Sequence, residues 1–164
     1  MSSHATVIVI IVTKDNFNSL TQGFAKYQMV ENDFKIIRWK YFYPFNQPYA
    51  EFSVGDVVMF TGKFIVENLE QHIGVSNACV IASNDPDHEF QAEEIPLSVP
   101  HTMFLVLVTR EPKERGESTY FDAGIKIGKT FIVSGFIRRV TSDFTIVELT
   151  DLDFMSTNVN VIQN

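Results

Sequence analysis

Lys35, Arg38 and Lys40 are interleaved with Trp39, Tyr41 and Tyr43 in residues 34–43. Cations beside aromatic rings on a strand suit single-stranded nucleic acid, because rings stack on bases while ammonium and guanidinium groups hold phosphates. Lys35, Arg38, Trp39, Lys40 and Tyr41 are therefore the candidate ligand-binding residues. Side chains alternate faces along a strand, which complicates this reading. Arg38 and Lys40 share one face with Phe34, Ile36 and Phe42, whereas Trp39, Tyr41 and Tyr43 share the other with Lys35 and Ile37. The competing reading is an aromatic core face backed by a basic outer face.

The remaining chemistry-bearing residues form no catalytic pattern. Asp151 and Asp153 fall on one side of an extended segment, with Glu148 nearby. A hard cation needs about six oxygens or more, and nothing else here has loop-ligand spacing, so the trio reads as a solvated strand end. His4, His72, His88 and His101 have no zinc spacing, and the lone Cys79 does not complete one. No Gly-x-Ser-x-Gly elbow, P-loop or dinucleotide fingerprint occurs. The expectation is a non-enzyme with no catalytic residues, no metal and no cofactor. Cys79 has no internal disulfide partner, which favours a reducing compartment, and its mostly apolar flanks suggest a buried, inert thiol.

The elements that carry these residues show in the hydrophobic pattern. Residues 54–65 read as one buried strand, and residues 127–137 echo it at an offset of 73. Gly55 and Gly62 align with Gly128 and Gly135, and Thr61 aligns with Ser134. Alternation places Val58, Phe60, Gly62 and Phe64 on a core face, matched by Phe131, Val133, Gly135 and Ile137. A glycine inside a strand marks a sharp bend or a close backbone approach. Barrel curvature or tight contact between halves explains Gly62 and Gly135 better than a ligand does. Residues 6–14 also resemble 102–110, at an offset of 96, so the first half holds 23 more residues between its two matched strands.

The chain has 164 residues and is 45% hydrophobic, with fifteen Phe, which allows a substantial core and excludes a disordered chain. Residues 1–95 hold six basic and twelve acidic residues, and 96–164 hold seven and eight, which together make the formal net charge −7. An acidic chain is a poor default binder of nucleic acid, since phosphate contacts supply most of that affinity; a local basic groove would have to supply it. The apolar run 7–12 is too short for a signal peptide core. No segment approaches the roughly 18 apolar residues of a membrane span. These features lead to the expectation of a soluble, intracellular protein, cytoplasmic or nuclear, with no membrane partner.

Taken in order, residues 6–13 form a strand apolar on both faces. Residues 15–33 fit either a helical stripe (Phe17, Leu20, Phe24, Tyr27) or a strand, and a loop or short helical turn to about Thr21 followed by a strand to Val30 is preferred. Strands follow at 34–43, 57–66 and 73–82. Residues 84–94 read as an acidic, solvated linker closed by Pro96 and Pro100, the boundary between a first β half (1–95) and a second (96–164) packed as one unit. Further strands fall at 102–109, 119–125, 129–140 and 145–152, with turns at 111–118 and at Ser142-Asp143. About nine short strands with regular turns mean an all-β fold, a duplicated β-barrel or sandwich with OB-like halves.

The pieces Phe60-Thr61-Gly62-Lys63-Phe64, Pro100-His101-Thr102-Met103-Phe104, Val133-Ser134-Gly135 and Thr150-Asp151-Leu152-Asp153-Phe154 resemble an expanded family of uncharacterised fungal proteins. The resemblance covers most of the chain and implies a eukaryotic intracellular protein, without assigning any site. Two functions are compatible with these features: a binding module that takes single-stranded nucleic acid on an OB-like face, or a self-associating structural protein. A two-fold homo-oligomer is expected through the second half, because 6–13 and 102–109 are apolar on both faces. Ile8 and Ile10, or Phe104 and Val106, would then form an exposed strip.

Overall fold

The computed structural model describes residues 2–43, 49–85, 87, 90, 92–107, 113–115, 118–120, 130–140 and 145–154. They form eleven strands: β1 (Ser2–Ile11), β2 (Asp15–Phe17), β3 (Leu20–Val30), β4 (Asp33–Phe42), β5 (Val57–Glu67), β6 (Glu70–Ala82), β7 (His101–Leu107), β8 (Lys113–Arg115), β9 (Ser118–Tyr120), β10 (Thr130–Val140) and β11 (Thr145–Phe154). A single 3-10 turn, Ala92–Glu94, interrupts them. The fold is all-β, as the strand composition requires. The expected turn at Ser142-Asp143, residues 108–112 and the stretch 121–129 lie outside the described residues.

Five strands close into a barrel. β1 pairs antiparallel with β3 and with β5, β3 with β4, and β5 with β6. The circle is completed by a parallel pair, β4 with β6. β2 adds to the outside edge of β3, and β7, β10 and β11 extend the same sheet outward from β1. β8 and β9 form a separate ribbon.

The barrel core follows from alternation. Ile37, Trp39 and Tyr41 of β4 point inward and are buried, while Ile36, Arg38, Lys40 and Phe42 are exposed. Val58, Phe60 and Phe64 of β5 meet them, with Val7, Val9 and Ile11 of β1, Ala25 and Tyr27 of β3, and Ile73 and Val75 of β6. Phe52, from the loop after β4, caps this cluster. Val133 and Ile137 of β10 are also buried, and Phe131 is half-buried.

The segment 15–33 holds no helix. Asn18-Ser19 turns β2 into β3, with Phe17 opposite Leu20. The helical-looking stripe has a sheet explanation: Leu20 and Phe24 lie four apart on one face of β3, and Phe17 joins them from across the ladder. The β5–β6 hairpin turns through Asn68 and Leu69, both left-handed at φ 51° and 67°, the primed geometry that matches strand twist.

Gly62 and Gly135 occupy matching positions. Each sits where the partner strand bulges: β6 carries an extra residue at Ser76 opposite Thr61/Gly62, and β11 one at Thr150 opposite Ser134/Gly135. A Cβ on Gly62 would come within 2.1 Å of the Gly74 carbonyl oxygen, and one on Gly135 within 2.2 Å of the Glu148 carbonyl oxygen. Both glycines therefore serve close strand contact. Ala5 lies opposite Gly62 and Thr102 opposite Gly135, which equates Ala5, not Thr6, with Thr102. The sequence match is thus one residue out of register, and one residue reverses the face: Thr102 is fully buried and Thr6 only half-buried.

The stretch 84–100 is more than a solvated connector. β1 forks: its C-terminal end pairs with β3 at Ile10 and Ile11, and its N-terminal end pairs with β7 from His4 to Thr6. Residues 95–98 fill the gap. Ile8 N–H donates to Ser98 Oγ (2.7 Å), Ser98 N–H donates to the Gln28 carbonyl (2.8 Å), and Leu97 bridges to Gln28. Ile95 is buried against Ile10 and Val57, with Ile8, Phe34 and Phe90 packed around them. The expected exposed strip on β1 is therefore covered from within the chain. On β7 Phe104 is buried and the exposed residue is Met103, while the side chain of Val106 lies outside the described residues.

Candidate functional site

The outer face of β3 and β4 brings cations and aromatic rings together in cross-strand pairs. Leu20 lies opposite Phe42, Gln22 opposite Lys40, Phe24 opposite Arg38, and Lys26 opposite Ile36. Phe17 of β2 extends the first pair into an apolar row. Phe42, Phe17, Ile36 and Phe24 are exposed at 61%, 55%, 55% and 38%. The Arg38 guanidinium stands 5.0 Å from the Phe24 ring centre, and the Lys26 amine 5.0 Å from that of Phe34. Such cation–π contacts hold long side chains down on the sheet. Phe17 and Phe42 keep open ring faces, since among the described residues neither ring meets a cation or another ring.

The five residues singled out from the sequence divide three ways. Arg38 and Lys40 stand together on this outer face. Trp39 and Tyr41 are core residues, 1% and 7% exposed. The Trp39 ring packs against Phe52 at 5.4 Å and Phe60 at 5.6 Å, and Tyr41 against Tyr43 at 5.5 Å. Neither ring is open to an external base, so stacking falls to others. The cause is alternation: even-numbered residues of β4 face out, and the odd-numbered aromatics are the larger apolar set, so they take the interior. Lys35 is half-buried and forms an ion pair with Asp33 at 2.9 Å, away from the other two. The outward rings Phe42, Phe24 and Phe17 were missed as stacking candidates. The signal was present for Phe42, which shares parity with Arg38 and Lys40.

Charge is sorted over the barrel. The outer face of β3, β4, β6 and β5 carries Lys26, Arg38, Lys40, His72 and Lys63. Its acidic neighbours lie at the strand ends: Asp33, Glu67, Glu70 and Asp15. Glu70 approaches Arg38 at 3.5 Å and His72 at 3.6 Å. Exposed pairs of this kind contribute little and yield readily to another anion.

A groove of about 680 Å³ opens at one end of the barrel, lined by Phe17, Tyr43, Tyr49, Phe52, Lys14 and Asn84 among others. The Lys14 amine donates to the Phe52 carbonyl at 2.6 Å, and Asp56 accepts from the Ser53 and Asn84 amides at 2.7 Å each. These bonds hold the loop before β5 against the barrel mouth. The Tyr43 and Tyr49 rings pack with centroids 4.3 Å apart, tilted by 34°. Burial pushes the Tyr43 hydroxyl above its usual pKa, helped by Tyr49, Tyr41 and Glu51. Phe17 joins the groove to the outer face.

Elsewhere, Cys79 is exposed, contrary to the buried thiol expected. Ala78 and Val80 take the inward positions of β6, which turns Cys79 out. Glu148 is ion-paired with Arg138, and Asp151 and Asp153 are exposed. No helix among the described residues is long and apolar enough to cross a membrane. No family model matches the chain, and no curated protein matches it.

Proposed function

We propose that the protein is a non-enzymatic binding module that holds single-stranded nucleic acid across the outer face of β3 and β4. The observation that carries this reading is the placement of Arg38 and Lys40 beside the outward rings of Phe24 and Phe42. Bases stack on Phe42 and Phe17, whose faces are open, while the cations hold phosphates. The barrel order β1–β3–β4–β6–β5, with its parallel β4–β6 closure, supports reading the barrel as an OB-fold with β2 inserted. In that fold the corresponding pair of strands is a common oligonucleotide surface. The net charge of −7 argues against a generic polyanion binder, but the acids sit at the strand ends and leave this face basic. The exposed Cys79 thiol suits a reducing, intracellular setting.

The test is a fluorescence anisotropy titration with a labelled fifteen-residue oligo(dT) at low and rising salt. Single-strand binding should weaken with a log–log slope of about −0.7 per phosphate contact. Arg38→Ala and Lys40→Ala should each weaken binding and flatten the slope. A flat titration at low salt removes nucleic acid as the ligand.

Self-association is the second reading. The observation that favours it is the position of β11 at the end of the sheet, paired only with β10 among the described residues. An unpaired strand edge can take a copy of itself about a two-fold axis. Sedimentation at micromolar concentration decides between dimer and monomer.

A further inference from the structure

Gly74 is the one glycine among those resolved in the sheet that no contact within the chain requires. A Cβ on Gly23 would meet the Thr13 carbonyl oxygen at 2.0 Å, and Gly62 and Gly135 are equally constrained. A Cβ on Gly74 would meet only the Lys63 carbonyl oxygen, at 3.9 Å, an ordinary contact, and its backbone φ is not left-handed. Gly74 is exposed in the middle of β6, between the buried Ile73 and Val75. A glycine there weakens the strand, since it adds chain entropy to the unfolded state and packs nothing. A reason for it outside the chain is close approach of another molecule.

Its neighbours say what kind of molecule. Across the sheet, Gly74 lies between Lys40 of β4 and Lys63 of β5. The row continues to Gln22 of β3 on one side and His4 of β1 on the other. Both lysines are exposed, and neither has a hydrogen-bond or ion-pair partner among the described residues. Adjacent strands are about 4.8 Å apart, so the two lysine Cα atoms stand roughly 10 Å apart over a floor of bare backbone. The carboxylates of the row lie at its far ends, Asp15 of β2 beyond Gln22 and Asp151 of β11 beyond His4, Met103 and Ser134; none lies between Gln22 and His4. Glu70 on the same strand is four residues away, roughly 13 Å along it.

We infer that Gly74 is the crossing point of the bound strand: a phosphodiester group lies on the bare backbone, held from both sides by the Lys40 and Lys63 ammonium groups. This rests on the nucleic-acid reading and adds to it a route. The ligand runs across the strands from the β3–β4 face over β6 to β5, and Lys63 becomes a phosphate contact. Side chains that stack sit on one side of the crossing, at Phe42 and Phe17, one row away from Lys40 on the same face. A side chain at position 74 would lift the phosphate off the sheet and out of reach of both amines.

The test pairs stability with binding. Gly74→Val places a strand-favouring residue where there is room for its first carbon, so the melting temperature should hold or rise. The same variant should bind oligo(dT) about tenfold more weakly or worse, the loss typical of a charge-assisted contact. Lys63→Gln, with Gly74 intact, should also weaken binding and reduce the salt slope by about 0.7. Wild-type affinity in Gly74→Val, or a salt slope unchanged in Lys63→Gln, overturns the crossing point while leaving the β3–β4 face as a binder. Failure of the wild-type protein to bind at low salt instead overturns the nucleic-acid reading itself, and the crossing point with it.

Discussion

Phe60 is fully buried between Trp39 (5.6 Å) and Phe52 (5.5 Å). Phe60→Ala removes that packing and leaves a cavity in a closed barrel that cannot collapse, so it should cost about 3–5 kcal/mol in urea unfolding. Trp39 is the sole tryptophan, and its indole N–H has no hydrogen-bond partner among the described residues. Its emission should be blue-shifted, and saturating oligo(dT) should leave it largely unquenched. Strong quenching would mean that a base reaches Trp39, contrary to its burial. Tyr27 donates to Gln71 Oε1 at 2.8 Å, and burial pushes its hydroxyl up to about 12 from an ordinary 10. The folded state favours the neutral phenol. This contribution to stability is whole below pH 10 and disappears as pH rises toward about 12. A spectrophotometric titration should find one tyrosine ionising late, and Tyr27→Phe should remove that step.

At the scale of elements, the bulges opposite Gly62 and Gly135 make a paired prediction. Alanine at either position drives a methyl group into a backbone carbonyl, which has no rotamer to escape by. Each substitution should destabilise by about 1–3 kcal/mol, seen as a lower denaturant midpoint. The strands themselves were legible because alternation is a local property: Val58, Phe60 and Phe64 read as buried and are. The same rule correctly grouped Arg38 and Lys40 with Phe42. Choosing Trp39 and Tyr41 as ligand contacts went against the rule, since four alternating large apolar residues, Ile37, Trp39, Tyr41 and Tyr43, fill an interior before they serve a surface. The parallel β4–β6 pair was not legible, because nothing local to either strand encodes a partner beyond β5. Residues 95–98 were also misread as part of a boundary. Pro96, with Pro100 after it and the acidic run before it, looks like a linker, and only the fork in β1 gives Ile95 and Ser98 something to fill.

At the scale of the whole molecule, sorted charge would govern the proposed meeting with a polyanion. In that proposal the acids at the strand ends would repel the ligand at long range, and the basic row would attract it at contact. Association should therefore be slow at low salt for so strong a contact, and added salt should weaken the complex chiefly by speeding dissociation; stopped-flow mixing separates the two rates. The edge strand β11 carries exposed Glu148, Asp151 and Asp153, so pairing of two copies there should strengthen as salt rises or pH falls, opposite in sign to nucleic-acid binding. The fork in β1 also bears on synthesis. β1, which leaves the ribosome before its partners, is claimed by β5 and β3 from the barrel and, at its other end, by β7. At about 5–20 residues per second, the wedge and β7 emerge many seconds after β1. In that interval a nascent barrel has one open seam, between β1 and β3, holding an unsatisfied Ile8 amide and an uncovered Ile10. The nascent protein is thus most exposed to chaperones and to misassembly just before the second half arrives, and a chain truncated after residue 85 should display a barrel that a protease can nick at that seam.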